Sequence, residues 1–499
     1  MKITDISSLD MTPGRLTVWR VTTSTTAEAA WAADSRPASH VQEAHLAHAL
    51  ESAGEGPLPP SWLGIAFDLS PELDPEAFST ALQQWTDRHE VLRSRLLPSS
   101  SVTSADWLRR ETLPVGVTIT RATEYGEFTD GEELAHRIEE LFNDEAGPLG
   151  WPGYVCATVA RPGSTTVHLA ADHSLMDGYS IFLTAYEIHT LYAAALSASD
   201  ARNDEGGPAA APHLPPAPSY LDFAEAERSA AEALTADHDT IVRWRGFLTE
   251  TGGRLPEFPI PVNDVSGTPA AQPGHHTALL DASATHAFGR ACRAAGGDIF
   301  SGLLACLAKV GYETTEEPVF RTMAPFHTRT DHYRSALGWY VGMAPISFPM
   351  DDADSFEDTV RSAARGLQGV KELAQTPISR IEELLGGSLR DPFMISYMDL
   401  RLTPGARDWR EWRTVALRAR TTDPDEVCLW IMRTHEGLSV SYRHPATASA
   451  RTALPHYVTR AHQLLATVAA TSQWRFSASE VIPAPGRAPS RIDHDTRPQ

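Results

Sequence analysis

The stretch Ala-Asp-His-Ser-Leu-Met-Asp-Gly at 171–178 places an imidazole, a carboxylate and a glycine in the spacing H-x-x-x-D-G, as His173, Asp177 and Gly178. An imidazole, with an ordinary pKa of about 6.5, is suited to take a proton from an alcohol or amine as that group attacks an activated carbonyl. Asp177 has two roles open to it. It either contacts the imidazole and fixes its tautomer, or turns away to pair with an arginine and hold the loop in shape. At a helix start it is also a good N-cap. Gly178 permits close approach of the backbone, whose amides at a helix start can stabilise an oxyanion. Taken alone the pattern is weak, because a capped helix beside a lone histidine looks the same.

Such a constellation needs a strand end and a helix start to hold it. Residues 165–170 (Thr-Thr-Val-His-Leu-Ala) read as a half-buried strand, and 179–195 carries apolar residues at helical spacing, so His173 is expected at a mouth. Upstream, 75–97 reads as an amphipathic helix running into a strand. Downstream, 219–248 is a polar helical stretch holding Tyr220, Phe223, Trp244 and Phe247. Strands are expected at 319–323, 343–348, 393–397, 426–432 and 438–442, and helices at 283–295 and 300–310. The clearest break is 197–218, where Asp, Asn, Gly, Ala and Pro crowd together as a linker or long loop. It divides the chain into an N-terminal lobe, 1–216, and a C-terminal lobe, 217–482, with 483–499 a Pro-, Arg- and Asp-rich tail expected to be disordered.

A chain of 499 residues with 42% hydrophobic content exceeds what one core usually supports, which agrees with two lobes. With 42 Lys plus Arg against 64 Asp plus Glu, the formal charge of -22 opposes nonspecific binding to nucleic acid or an anionic membrane. The amino terminus has no apolar signal region, and no segment approaches the roughly 18 uncharged apolar residues of a membrane span. A cytoplasmic, monomeric protein is the expectation. Cys156, Cys292, Cys306 and Cys428 are scattered in apolar contexts without the paired spacing of a metal site, and read as small buried hydrophobes. Phosphate-loop, dinucleotide-binding, H-E-x-x-H and G-x-S-x-G motifs are all missing, so nothing announces a metal, a tightly bound cofactor or a covalent serine. His275-His276 reads as a loop feature leading into a strand.

Other segments give the first motif its context. Arg88-His89-Glu90-Val91-Leu92-Arg93-Ser94-Arg95 resembles the R-H-E-x-L-R-[TS]-x motif of the condensation-domain acyltransferases of nonribosomal peptide synthesis, and 172–178 resembles their H-H-x-x-x-D-G. Ser39-His40-Val41-Gln42 is similar to their opening S-x-x-Q. Pro325-Phe326-His327-Thr328-Arg329 falls where the family has a strand ending in Arg, and 338–346 (Gly-Trp-Tyr-Val-Gly-Met-Ala-Pro-Ile) resembles the G-x-F-v-N-x-x-P segment. Met394-Ile395-Ser396-Tyr397-Met398-Asp399 sits where a late core strand is expected. The stations occur in the family's order across residues 39 to 399.

Two departures stand out. Asp172 replaces the first histidine of the pair, and Gly342 stands where peptide-forming members carry Asn. The form of 338–346, with Phe258-Pro259-Ile260-Pro261, Ile3-Thr4-Asp5 and Thr12-Pro13-Gly14, looks more like the stand-alone polyketide-associated acyltransferases, which favours ester over amide formation. The resemblance implies an α/β (α+β) fold of two chloramphenicol-acetyltransferase-like lobes arranged as a V, with a channel through the seam. It also implies a donor thioester bearing phosphopantetheine, on coenzyme A or an acyl or peptidyl carrier protein, and a small-molecule hydroxyl or amine acceptor. By the same resemblance His173 is the base, Asp177 the partner of Arg329 rather than a relay, and Gly178 part of the oxyanion region. Asp172, Arg329, Trp339, Tyr340, Gly342 and Ser396 become structural or channel residues, Trp339 and Tyr340 with core packing as their plainer reading. Three rivals remain: a plant-type coenzyme A acyltransferase, whose D-F-G-W-G is replaced here by Ala336-Leu337-Gly338-Trp339-Tyr340, a catalytically degenerate module acting as a docking platform, and an epimerase-like relative, disfavoured because such modules normally sit within larger synthetases.

Overall fold

The structure, a computed structural model, describes residues 1–23, 30–54, 56–69, 72–99, 107–203, 214–263, 270–350 and 355–474, with only the backbone of 200–203. Along the chain come β1 (Ile3–Thr4), β2 (Gly14–Thr23), β3 (Ala32–Asp34), α1 (His40–Ala53), β4 (Trp62–Leu69), α2 (Pro75–Arg88), β5 (Ser94–Pro98), β6 (Leu108–Thr112), β7 (Thr118–Phe128), α3 (Gly131–Glu145), β8 (Tyr154–Arg161), β9 (Ser164–Asp172) and α4 (Gly178–Asn203). Then follow α5 (Tyr220–Glu232), α6 (Asp239–Glu250), β10 (Gly274–Asp281), α7 (Ala282–Ala294), α8 (Ile299–Thr315), β11 (Val319–His327), β12 (Val341–Pro349), α9 (Phe356–Gly366), α10 (Val370–Leu373), α11 (Ile378–Leu385), β13 (Phe393–Asp399), β14 (Val415–Arg418), β15 (Val427–Thr434), β16 (Gly437–Arg443) and α12 (Ala448–Thr471).

Local chemistry sets many of these boundaries. Asp74 caps α2 by accepting from Ala77 N, with Pro75 at the first helical position, where its missing N–H costs nothing. Asp298 and Ser301 close a capping box on α8. Ser39 and Gln42 do the same for α1, so the S-x-x-Q segment is physically a helix start.

A seven-stranded sheet in the order β1-β14-β4-β9-β8-β2-β7 and a six-stranded sheet in the order β10-β16-β15-β13-β11-β12 form the two layered cores, with β3-β6-β5 as a small third sheet. Strand alternation decides which helices cover which face of the first sheet. Ile65, Phe67, Leu169 and Ala171 pack with Phe78, Trp85, Phe182 and Ile188 of α2 and α4, while Ala66, Ala170, Val155 and Ala157 pack with Ile138 and Phe142 of α3. The second sheet buries Ile395, Leu429, Ile431 and Val440 against α7, α8 and α12. This is the mixed α/β architecture expected from the resemblance.

Three expectations need correction. Residues 197–203 continue α4 rather than opening a loop, in keeping with the helix preference of Ala; the remaining linker residues 204–213 and the tail at 483–499 lie outside the described residues. The lobes also do not divide at 216/217. Strand β14, from the C-terminal half, pairs antiparallel with β4 at Val415↔Ala66, and Tyr220, Leu221, Ala224, Ala336, Leu337 and Tyr340 pack into the first lobe's core. The N-terminal segment reaches the other way, with Ile3 N donating to Ser441 Oγ. His275 and His276 are strand residues of β10, opposite Tyr442 and Ser441, not a loop. Among the described residues, no single helix is long and apolar enough to cross a membrane.

Candidate active site

The central strand β9 ends at Asp172, α4 begins at Gly178, and the five residues between them carry the H-x-x-x-D-G loop. Three contacts hold it: His173 N donates to Ser61 O (3.1 Å), Asp172 N to Gly153 O (2.9 Å), and Asp177 N to Gly338 O (3.0 Å). The last crosses to the segment between β11 and β12, so the loop is clamped from both halves of the chain.

Asp177 faces away from His173. Its Oδ1 caps α4 by accepting from Ser180 N (2.7 Å), and its Oδ2 accepts from Tyr340 N (3.1 Å). Arg329 Nη2 lies 3.2–3.3 Å from both oxygens and donates to Ser180 Oγ as well. Arg329 Nη1 donates to the carbonyls of Tyr333 and Ala336, and the guanidinium lies over the Tyr340 ring at 4.0 Å. Both charges are buried, so this pair is satisfied on nearly every side. Tyr340 is fully buried, packed against Tyr220, Phe223 and Tyr333.

His173 is half-buried and stacks on Trp339, with ring centroids 3.8 Å apart and planes 27° off parallel. Burial first, then repulsion from His45, push its pKa down to about 4, with weaker opposing pulls from Asp172 and Asp177. Its Nδ1 is buried and, among the described residues, meets no acceptor beyond the residue's own backbone. A proton on Nδ1 leaves Nε2 as the basic lone pair.

Gly178 and Ser396 lie at the junction with the second sheet. A Cβ on Gly178 would meet Met398 Sδ at 3.6 Å, and Ser396 sits two residues back on the same face of β13, buried and opposite Trp430. Gly342 is elsewhere: a Cβ there would fall 1.8 Å from the Ala374 carbonyl, so the backbones of β12 and α10 touch and no side chain fits. Its place there is one of close backbone packing. Gly338, at φ +156°, allows the chain to pass the Tyr220 ring, which a Cβ would approach to 2.2 Å.

The R-H-E segment is a brace. Arg88 Nε and His89 Nε2 both bond Glu187 of α4, at 2.9 and 2.5 Å, and Leu337 N donates to His89 Nδ1. Gln42 Nε2 likewise donates to Ser174 O (2.8 Å), linking α1 to the loop. Sequence reasoning passed over His45, Ser61 and Glu187. His45 comes within 3.3 Å of Asp172, and Ser61 Oγ donates to Asp172 at 2.5 Å. None of the three carries a local signal, since each reaches the site only through tertiary packing. All four cysteines are buried free thiols; burial pushes Cys292 up to about 12 and raises the other three as well, so none is a nucleophile at neutral pH. Among the described residues, no group of three or more His, Cys, Asp or Glu is placed to hold a metal ion.

The pattern of the condensation-domain family matches residues 36–390. The chain is 26% identical over 359 residues to acyltransferase PapA3 of Mycobacterium tuberculosis, covering 69% of this chain and 72% of that protein. It is 25% identical over 466 residues to trehalose-2-sulfate acyltransferase PapA2 of Mycobacterium bovis, covering 91% and 95%. The solved structure of PapA2 acyl transferase superposes with a TM-score of 0.82 at 22% identity, over 94% of this chain and all of that one.

Proposed function

The chain belongs to the condensation-domain family and is an acyltransferase, and from that premise we propose that it moves an acyl group from a thioester to a hydroxyl by direct attack, with His173 as general base. The observation that carries the reading is the placement of His173, half-buried on the loop between β9 and α4 and stacked on Trp339. With its pKa pushed down to about 4, the imidazole is neutral at neutral pH and free to accept a proton. The donor bears phosphopantetheine, on coenzyme A or on an acyl or peptidyl carrier protein. As the acceptor oxygen bonds to the thioester carbon, its proton passes to Nε2. The tetrahedral oxyanion then collapses with cleavage of the C–S bond, and the imidazolium returns the proton to the departing thiolate.

First-turn amides of α4, at Gly178 and Tyr179, have no intrahelical acceptor and suit the oxyanion. Asp177 is committed to Arg329 and to the helix cap, which supports a holding role rather than a relay. The inert cysteines favour transfer without an acyl-enzyme. The trehalose-2-sulfate acyltransferase among the relatives supports a sugar hydroxyl as acceptor and a complex lipid as product. An amine acceptor is the less favoured form, because the Gly-Trp-Tyr-Val-Gly segment departs from the peptide-forming pattern at Gly342.

The test is thiol release from an acyl-pantetheine thioester with a sugar acceptor. His173→Ala is expected to lower kcat by about 10²–10⁴-fold, the usual contribution of a general base, and intact-protein mass spectrometry to show no acyl adduct. A stable adduct refutes direct transfer. A wild type that binds a carrier yet never turns over favours the docking platform.

A further inference from the structure

One buried carboxylate beside His173 has no part in that mechanism. Asp172 is completely shielded from solvent. Burial opposes its ionisation, but hydrogen bonds from His45, Ser174 N (2.8 Å) and Ser61 Oγ (2.5 Å) hold its carboxyl below the ordinary range. A buried charge is tolerated only with such donors, and these come from three separate segments of the chain.

His45 is the only titratable donor of the three. It projects from α1, whose start is set by the Ser39–Gln42 box and whose Gln42 also grips the catalytic loop. Nε2 of His45 lies 3.3–3.4 Å from the two Asp172 oxygens. Its ring meets Trp339 edge-on at 5.4 Å, and Trp339 in turn stacks on His173. The contacts therefore close on themselves: Asp172 to His45, His45 to Trp339, Trp339 to His173, and His173 to its chain neighbour Asp172.

We propose that Asp172 and His45 form a histidine–carboxylate pair that clamps Trp339 over His173 and faces the base with another titratable ring. The inference rests on the reading of His173 as the base. His45 is a positioning residue, since its Nε2 is held by Asp172 and its ring centroid is 6.3 Å from that of His173. The charged groups acting on His173 are His45 from α1 and Asp172 and Asp177 from its own loop. Charge on His45 opposes protonation of His173, and the two carboxylates favour it. Where the related motif has histidine at 172, this fold holds a carboxylate and supplies the imidazole from α1.

The full-length protein with ¹³C-labelled histidine is titrated by NMR, His173 being assigned by the signal lost in His173→Gln. In His45→Asn the His173 midpoint is expected to move to higher pH by about one unit, the order of one partly screened charge at this separation. His45→Gln, which keeps a donor within reach of Asp172, moves it the same way and guards against a misfolded first variant. In turnover assays both lower kcat with the donor KM unchanged, and the acid limb of kcat/KM follows the NMR midpoint. An unchanged midpoint and kcat with only a lower melting temperature overturns the proposal and leaves His45 a packing residue. The titration needs no turnover, so it reads the pair separately from the base reading. Full activity in His173→Ala sinks the base reading, while a shifted midpoint in His45→Asn still supports the pair.

Discussion

Replacing Asp177 by Asn separates a holding carboxylate from a catalytic relay. The native carboxylate is 2% exposed and accepts from Ser180 N, Tyr340 N and Arg329 Nη2 across its two oxygens. An amide keeps one acceptor oxygen. If that oxygen stays on Ser180, the NH₂ group points at Tyr340 N and Arg329, donor against donor. An orphaned buried donor costs about 1–3 kcal/mol, and breaking a buried ion pair about 3–5 kcal/mol. The two overlap, so about 4 kcal/mol is the expectation. At roughly 2–4 °C per kcal/mol for a lobe of this size, the melting temperature falls by roughly 8–16 °C. Arg329→Met has a similar cost, because it strands the carboxylate and the carbonyls of Tyr333 and Ala336. The double variant is expected to cost less than the sum of the two, since both remove the same pair. Below the lowered transition kcat falls by less than about tenfold, for Asp177 does not contact His173. A melting temperature left unchanged together with a kcat loss of about 10⁴, the scale seen when a tautomer-fixing carboxylate is removed, would falsify this account and make Asp177 a relay.

Gly338→Ala forces a Cβ toward Tyr220 in a left-handed stretch of backbone, and is expected to lower both the melting temperature and kcat, because Trp339 moves with it. Gly342→Asn, which restores the residue of peptide-forming relatives, drives a side chain into the Ala374 carbonyl. It is expected to destabilise the fold without gaining amide product, and a folded, amide-forming variant measured against amine and hydroxyl acceptors counts against the packing role. Acid stability should report His168, buried with its pKa pushed down to about 4 by burial, then by Arg161. Above about pH 6.5 it is neutral in both states; below that the unfolded chain takes the proton first, so stability falls by roughly 1.4 kcal/mol per pH unit until about pH 4. His168→Gln should flatten the fall of melting temperature between pH 6.5 and 4, and an unchanged slope removes His168 from the explanation.

The strand, loop and helix around 171–178 were legible because β9 is a short, mostly apolar run, buried on both faces rather than half-buried, and Asp177 is a residue type that starts helices. The end of α4 was not, because the Ala, Ser and Asp residues of 197–203 have a loop-like composition while Ala keeps helical preference. Nothing local marks β14 as a strand of the other lobe's sheet. Its four residues pair with β4, far back in the chain, and only the completed sheet selects that register. The S-x-x-Q and R-H-E segments were readable as motifs but not as devices. The first is a capping box whose Gln also holds Ser174, and the second braces α4 through Glu187.

Asp172 shows why a lost motif residue is a poor guide to a lost activity. In sequence it is a missing histidine. In the fold it is a buried carboxylate with Ser61, Ser174 and His45 around it, and His45 arrives from 127 positions upstream. Were the site a relic, nothing would maintain three donors on a charge that is costly to bury, nor keep His173 stacked and unprotonated beside them. A relic would relieve the burial by losing the charge. The retained charge argues against the docking-platform reading: residue 172 is a carboxylate in this chain, and the imidazole that contacts it comes from α1.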